Sequence, residues 1–173
     1  MIGVYVPGGN AQAIIDNIKQ AEAKGVPSFW LTSGGVAADS IMIFAAAAMQ
    51  TSRIKMGTSI TQTWPRHPVA IVTQCIAMHQ LAPGRFRIGL GASHQPAVEG
   101  MYGVVYRKPL LNLREYLFTV QSILKKGEVD FDGTFVKTKT SLGAGPGGNK
   151  IEAPVNVPVM ASALRPASFR LCG

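Results

Sequence analysis

Continuous apolar runs and stretches of helical periodicity alternate along this chain, and that alternation restricts the fold more than any other feature. The apolar runs are Ile2–Val6, Ser28–Leu31, Arg53–Thr61, Arg85–Leu90 and Val157–Ala161. They are apolar throughout rather than at every second residue, as strands covered on both faces must be. Between the first two, Asn10 is placed to cap a helix in which Ile14, Ile15, Ile18 and Ala21 recur before Gly25. A second helix is expected over Ala38–Gln50, with Asp39 near its start. A third begins at Pro68, a residue suited to a first helical turn, and runs to about Gln80. A fourth, Leu110–Lys126, carries Leu113, Leu117, Val120 and Leu124 on one face and stops at Gly127; Pro166 opens a fifth. Strand–helix alternation of this kind builds a parallel sheet.

An open doubly wound sheet and a (β/α)8 barrel share this pattern. The doubly wound dinucleotide fold carries GxGxxG after its first strand, and Pro7-Gly8-Gly9 is not that fingerprint. A complete barrel takes roughly 200 residues or more, so the 173 residues are expected to form one partial barrel domain over 1–173, about five β/α units. A hairpin insertion is expected near 128–139, with Glu128–Phe131 and Thr134–Lys137 joined at Asp132-Gly133. The segments Gly91–Pro109 and Leu142–Asn149 read as loops. A half-barrel leaves open sheet edges, which points to a homodimer or higher oligomer.

Composition removes several classes. Apolar residues make up 47% and charged ones 15%, so the chain is core-forming rather than disordered. No apolar run reaches the roughly 20 residues of a membrane span, and the start MIGVYVPGG lacks the pattern of a signal peptide. Cys75 and Cys172 are far apart, without metal-ligand neighbours, and read as reduced thiols of a cytoplasmic protein with no metal. The net charge of +8 comes from scattered lysines and arginines with no aromatic interleaving. That speaks for small anionic ligands rather than nucleic acid.

In either fold, ligands bind at the carboxyl ends of the strands. The stretch ITQTWPRHP occupies one such end, and Thr58, Ser59, Thr61, Gln62 and Thr63 make it polar. The next strand ends in GLGASH, where Gly89 and Gly91 leave room for a flat ligand against the backbone, followed by Ser93 and His94. His94 is a candidate to donate to a cofactor or protonate a substrate, against a loop histidine bonded to backbone. His67 is a weaker catalytic candidate, because its position suits capping of the third helix. Trp64 either stacks near a substrate or fills the loop floor; Met101 and Tyr102, with Glu99, either wall a pocket or pack their loop. GAGPGG at Gly143–Gly148 lacks the Lys-Ser/Thr of a phosphate loop and reads as linker.

At these residues the chain resembles the luciferase-like monooxygenase superfamily of (β/α)8 barrels, and within it the branch that uses the deazaflavin coenzyme F420. The resemblance rests on GTSITQTWPRHPVAI, LAPGRFRIGLGASH, PAVEGMYG, REYL at Arg114–Leu117, VDFDG at Val129–Gly133, and VPVMASAL at Val157–Leu164. It implies a bulge with a non-prolyl cis peptide at Ser59–Ile60, backing the middle ring of the cofactor. It also implies cofactor contacts from Thr58, Ser59, Ile60, Thr61, Gly89, Gly91, Ala92, Ser93, His94 and Arg165, with Trp64, Met101 and Tyr102 toward a small-molecule substrate. The implied reaction is hydride transfer between F420 and an organic substrate. The alternatives are FMN-dependent monooxygenation with oxygen, and an inactive shortened chain that self-associates. Two departures stand out. The loop LTSGGVAADS lacks the histidine that many F420 enzymes carry there, and ALRP places Arg165 where that branch has glycine.

Overall fold

The computed structural model describes residues 3–5, 9–144 and 151–172, and brings the expected strands together in one parallel sheet. The strands β1 (Gly3–Tyr5), β2 (Ser28–Leu31), β3 (Lys55–Thr58), β5 (Phe86–Gly91) and β8 (Val159–Ala161) are neighbours in that order, and β4 (Thr61–Gln62) also pairs with β5. Their order follows the chain without the reversal that marks a doubly wound sheet. This is the path of a (β/α)8 barrel wall, represented by about five of its units.

The same strand parity supplies the core everywhere. Val4, Phe29, Leu31, Met56, Phe86, Ile88, Leu90, Val159 and Ala161 all join one apolar cluster with the helices α1 (Ala11–Ala23), α2 (Ser40–Ala48), α3 (Pro68–Leu81) and α5 (Pro109–Lys126). Residues of the other parity, Tyr5, Trp30, Arg87 and Met160, stand on the opposite face of the sheet and outside that cluster. The register places Trp30 beside Gly57, where a built Cβ would meet the indole ring at 2.7 and 2.9 Å.

Local signals explain most boundaries. Asn10 Oδ1 accepts from the Ala13 N–H at 2.9 Å, and Asp39 Oδ1 accepts from Ile41 and Met42 N–H at 3.0 Å each. His67 Nδ1 accepts from Val69 N–H at 3.3 Å, with Pro68 as the first helical residue. Gly127 ends α5 in the left-handed region at φ 86°.

Several expectations are corrected. The run Arg53–Thr61 is split into β3 and β4. Within the expected loop Gly91–Pro109 lies a helix, α4 (Gln95–Tyr102); only Val98 of its residues is buried, so no repeating apolar stripe marks it. The second helix is shorter than Ala38–Gln50, because Asp39 rather than Ala38 forms its cap. The last strand is shorter than Val157–Ala161. The hairpin strands are β6 (Glu128–Asp132) and β7 (Lys137–Ser141), with four residues rather than a two-residue Asp-Gly turn between them. Ile2, Val6, Pro7, Gly8 and residues 145–150, and with them the flanks of the first expected strand and most of GAGPGG, lie outside the described residues. The helix α6 (Pro166–Cys172) starts at Pro166 as expected. Among the described residues no helix is long and apolar enough to cross a membrane. Cys75 and Cys172 are free, and burial pushes the Cys75 thiol up to about 12.

A carboxylate fixes the turn into β3. Glu22, at the end of α1, accepts from the N–H groups of Ser52, Arg53 and Ile54 at 3.0, 2.5 and 2.8 Å. Burial works against its charge, but these three donors and the Arg53 charge outweigh it and hold the carboxyl below the usual range. Glu22→Gln is expected to cost about 1–3 kcal/mol in urea unfolding. Because the folded-state value is depressed, the wild-type advantage is complete above the ordinary glutamate range, about pH 4.3. It shrinks as pH falls through that range and vanishes below the folded-state value.

Candidate active site

Between β3 and β4 the chain slips by one residue against β5. From Gly57 to Thr61 it advances four positions while β5 advances three, from Arg87 to Leu90. The slip is a β-bulge, and the Ser59–Ile60 peptide within it is cis, as the resemblance implied. Where the backbone ladder is interrupted, the Thr58 side chain takes its place. Its hydroxyl donates to the Gly89 carbonyl at 2.9 Å and accepts from the Gly89 N–H at 2.9 Å. The bulge is tied to the other neighbour as well: Ser59 N–H donates to Leu31 O at 2.7 Å and Ser33 N–H to Ile60 O at 3.1 Å. The Thr32 hydroxyl donates to Ser59 O at 3.1 Å. Ser59 is thereby left exposed and Ile60 half-buried at the carboxyl end of the sheet.

The two glycines of β5 have different surroundings. A Cβ at Gly89 would run into the backbone carbonyl oxygen of Thr58, so the close approach there is made by the protein's own bulge, not by the flat ligand expected from the sequence. Thr58 is likewise committed: it is buried and its hydroxyl both donates to and accepts from Gly89. A Cβ at Gly91 would crowd the Ser162 hydroxyl and lie 2.9 Å from Ile60 Cγ1, so at Gly91 the close approach is made by two side chains rather than by backbone.

Beyond Gly91 a polar network sets the ends of β4 and β5. Tyr102 Oη donates to Gln62 Oε1 at 2.8 Å, and Gln62 Nε2 donates to Ser93 Oγ at 2.9 Å. This polarity follows from chemistry, since a phenol is a strong donor and a poor acceptor while an aliphatic hydroxyl accepts readily. The proton of the Ser93 hydroxyl is therefore free to be given outward. Ser93 sits at φ 61°, and its carbonyl accepts from Tyr106 Oη at 3.0 Å. Thr63 Oγ1 donates to Asn112 Oδ1 at 2.7 Å, tying the end of β4 to α5. Ala92, Ser93, Tyr106, Ser162 and Arg165 border a cavity of about 590 Å³. Burial pushes the Tyr106 hydroxyl up, opposed by the charge of Arg165.

The other candidates separate by their contacts. His94 is exposed at the start of α4 and makes no capping hydrogen bond. His67 has its Nδ1 engaged as the cap of α3. Trp64 is half-buried between Tyr106 and Phe135, with ring centroids at 5.4 and 5.7 Å. Tyr102 is held in the Gln62 network, whereas Met101 is 57% exposed on α4. Arg66 pairs with Asp39, so the corner after β4 is bound to the cap of α2. Burial opposes the Asp39 charge, yet the α2 N–H groups and Arg66 hold its carboxyl below the usual range. Arg66 belongs to the ITQTWPRHP stretch, but nothing in the sequence alone brings Tyr106, Asn112 or Asp39 to this site. Their partners are distant in sequence, and only the β3–β4–β5 packing brings them together. Among the described residues no cluster of His, Cys, Asp and Glu could hold a metal ion.

Comparison with known proteins follows the same lines. The family model for luciferase-like monooxygenases matches residues 3–173. A 5,10-methylenetetrahydromethanopterin reductase of Methanolobus tindarius is 26% identical over 172 residues, covering 98% of this chain and 49% of that protein. An F420-dependent glucose-6-phosphate dehydrogenase of Nocardia farcinica is 32% identical over 114 residues, 63% of this chain and 34% of that protein. The chain thus spans about half, or less, of the length of these relatives. The coenzyme F420-dependent tetrahydromethanopterin reductase of Methanopyrus kandleri has a similar fold, with a TM-score of 0.79 at 23% identity over 98% of this chain and 52% of that one. So does the oxygenating constituent of 3,6-diketocamphane monooxygenase of Pseudomonas putida, solved in complex with FMN, with a TM-score of 0.78 at 21% identity over 92% and 50%.

The two glycines are expected to respond differently to substitution. Gly89→Ala forces a methyl group against backbone that cannot swing aside, and is expected to lower stability by about 1–3 kcal/mol or more. Gly91→Ala meets movable side chains and is expected to cost less. Urea unfolding of the two variants checks the order, and an equal cost would contradict the packing described.

Proposed function

The chain belongs to the luciferase-like monooxygenase family, and from that membership we propose an oxidoreductase that binds coenzyme F420 at the ends of β4 and β5 and exchanges hydride between it and a small organic substrate. The observation that carries the reading is the cavity of about 590 Å³ bordered by Ala92, Ser93, Ser162 and Arg165, just beyond the ends of β5 and β8. Relatives named for F420 at 26% and 32% identity support the choice of cofactor.

The residues present fit such a group. Ser59 and Ile60 from the bulge, and Ala92 and Ser93 from the end of β5, would hold its ring system, with the buried Thr58, Thr61, Gly89 and Gly91 fixing them from behind. Arg165, exposed at the start of α6, is placed for the acidic tail. When bound, the deazaflavin supplies a two-electron hydride couple. Ser93 gives a hydrogen bond outward, because its oxygen already accepts from Gln62. A substrate carbonyl that takes hydride at carbon needs a proton at oxygen, and His94, free of a capping bond, is the residue to give it. The loop after β2 has no histidine for that task. Trp64, Tyr102 and the more exposed Met101 would border the substrate. In this reading residues 1–173 act as one partial barrel domain, in a homodimer or higher oligomer of the cytoplasm.

FMN with oxygen is the second reading, supported by the similar fold solved with FMN. Equilibrium fluorescence titration of the chain with F420 and, in parallel, FMN separates them. Selective, saturable binding of F420 is the expected result. Binding of FMN alone would move the assignment to monooxygenation, and binding of neither would leave an inactive, self-associating chain. Ser93→Ala is expected to weaken F420 binding by up to about tenfold, the loss of one hydrogen bond. His94→Ala should leave binding unchanged, because its role lies in proton transfer.

A further inference from the structure

The β6–β7 hairpin is fastened at two places of different character. At its base it packs by apolar contact: Val129 and Phe131 belong to or pack on the core, and Phe131 lies 4.9 Å from Phe118 of α5. At its tip, where the Val136 side chain is buried, the backbone N–H groups converge on one carboxylate. Glu115, 6% exposed on α5, accepts from the N–H groups of Thr134, Phe135 and Val136 at 2.9, 2.7 and 3.1 Å. Gly133 permits this approach, since a Cβ there would lie 2.5 Å from Glu115 Oε2. The residues so captured carry Phe135 to Trp64, edge to face at 5.7 Å, with the Arg107 guanidinium 5.6 Å from the Phe135 ring. Trp64 in turn lies against Tyr106, whose hydroxyl holds the Ser93 carbonyl.

We infer that Glu115 is a positioning residue for the ligand pocket, setting the place of Trp64 through the hairpin tip. This rests on the reading that ligand binds at the ends of β4 and β5. The β6–β7 ladder and the contacts at its base keep the hairpin formed without Glu115. What the carboxylate adds is the direction of the tip, because three N–H groups converging on two oxygens leave residues 134–136 little freedom. The side chain that benefits is Trp64, whose buried Nε1 has no hydrogen-bond partner among the described residues. Among the described residues its aromatic contacts are Phe135 and Tyr106.

The chain has two tryptophans, Trp30 and Trp64, so 5-fluorotryptophan labelling gives two ¹⁹F resonances, assigned with Trp64→Phe. Glu115→Gln is expected to shift or broaden the Trp64 resonance and leave that of Trp30 in place. F420 binding, measured by fluorescence, is expected to weaken about two- to threefold, less than in Ser93→Ala, because the tip reaches Ser93 only through Trp64 and Tyr106. Phe131→Leu, which loosens the base, is expected to lower stability without moving the Trp64 resonance. Should Glu115→Gln fail to fold, Phe135→Leu keeps the carboxylate and must itself move Trp64. An unmoved Trp64, or Trp30 and Trp64 moving together, would overturn the inference. If the wild-type chain binds no F420, the cofactor reading fails and the ¹⁹F result alone decides the role of Glu115.

Discussion

The Thr58 hydroxyl and the Gly89 backbone meet at the one point where the parallel ladder is interrupted. Elsewhere β3 and β5 are joined backbone to backbone. Here a side chain supplies both the donor and the acceptor that the slipped strand no longer offers. A buried backbone N–H or carbonyl without a partner is costly, so this substitution is what makes the one-residue slip tolerable. The slip determines which residues reach the carboxyl end of the sheet. It exposes Ser59, half-exposes Ile60, and returns Thr61 and Gln62 to pairing with Leu90 and Gly91. The Gln62–Ser93 contact and the packing of Ile60 against Gly91 both depend on that register.

Carboxylates that gather backbone donors organise the surroundings. Glu22 collects three N–H groups before β3, Glu115 collects three at the hairpin tip, and Asp39 caps α2 while pairing with Arg66. In each case burial disfavours the charge and several donors outweigh it. The result is a set of loops whose positions are dictated by directional bonds rather than by apolar packing. Asp39 and Arg66 fix the corner after β4 at the carboxyl end of the sheet, whereas the Glu22 turn, leading into β3, lies at the opposite end.

Much of this architecture is legible in the residues themselves. Continuous apolar runs announce the parallel strands, and Asn10, Asp39, Pro68 and Gly127 mark helix boundaries through their own chemistry. The failures are equally physical. Gln95–Tyr102 forms a helix with only Val98 buried, so no periodic stripe betrays it. Asp132-Gly133 is a strong two-residue turn signal in isolation, yet Glu115, distant in sequence, captures the next three N–H groups and opens the turn to four residues. Gly89 looks like a space left for a ligand until its neighbour is known; the space belongs to Thr58. Nothing in Arg53–Thr61 alone reveals the slip, which the resemblance to a family implied and pairing to β5 displays.

The central claim is that ligand is held where the bulge and the end of β5 meet. Hydrogen exchange of the chain with and without F420, read by mass spectrometry, tests it most directly. Slowed exchange is expected in peptides covering residues 59–66, 91–94 and 162–166, with little change in α1 and at the outer hairpin strands. Protection confined to the hairpin or to the outer helices, with the bulge peptides unaffected at saturating F420, would contradict it.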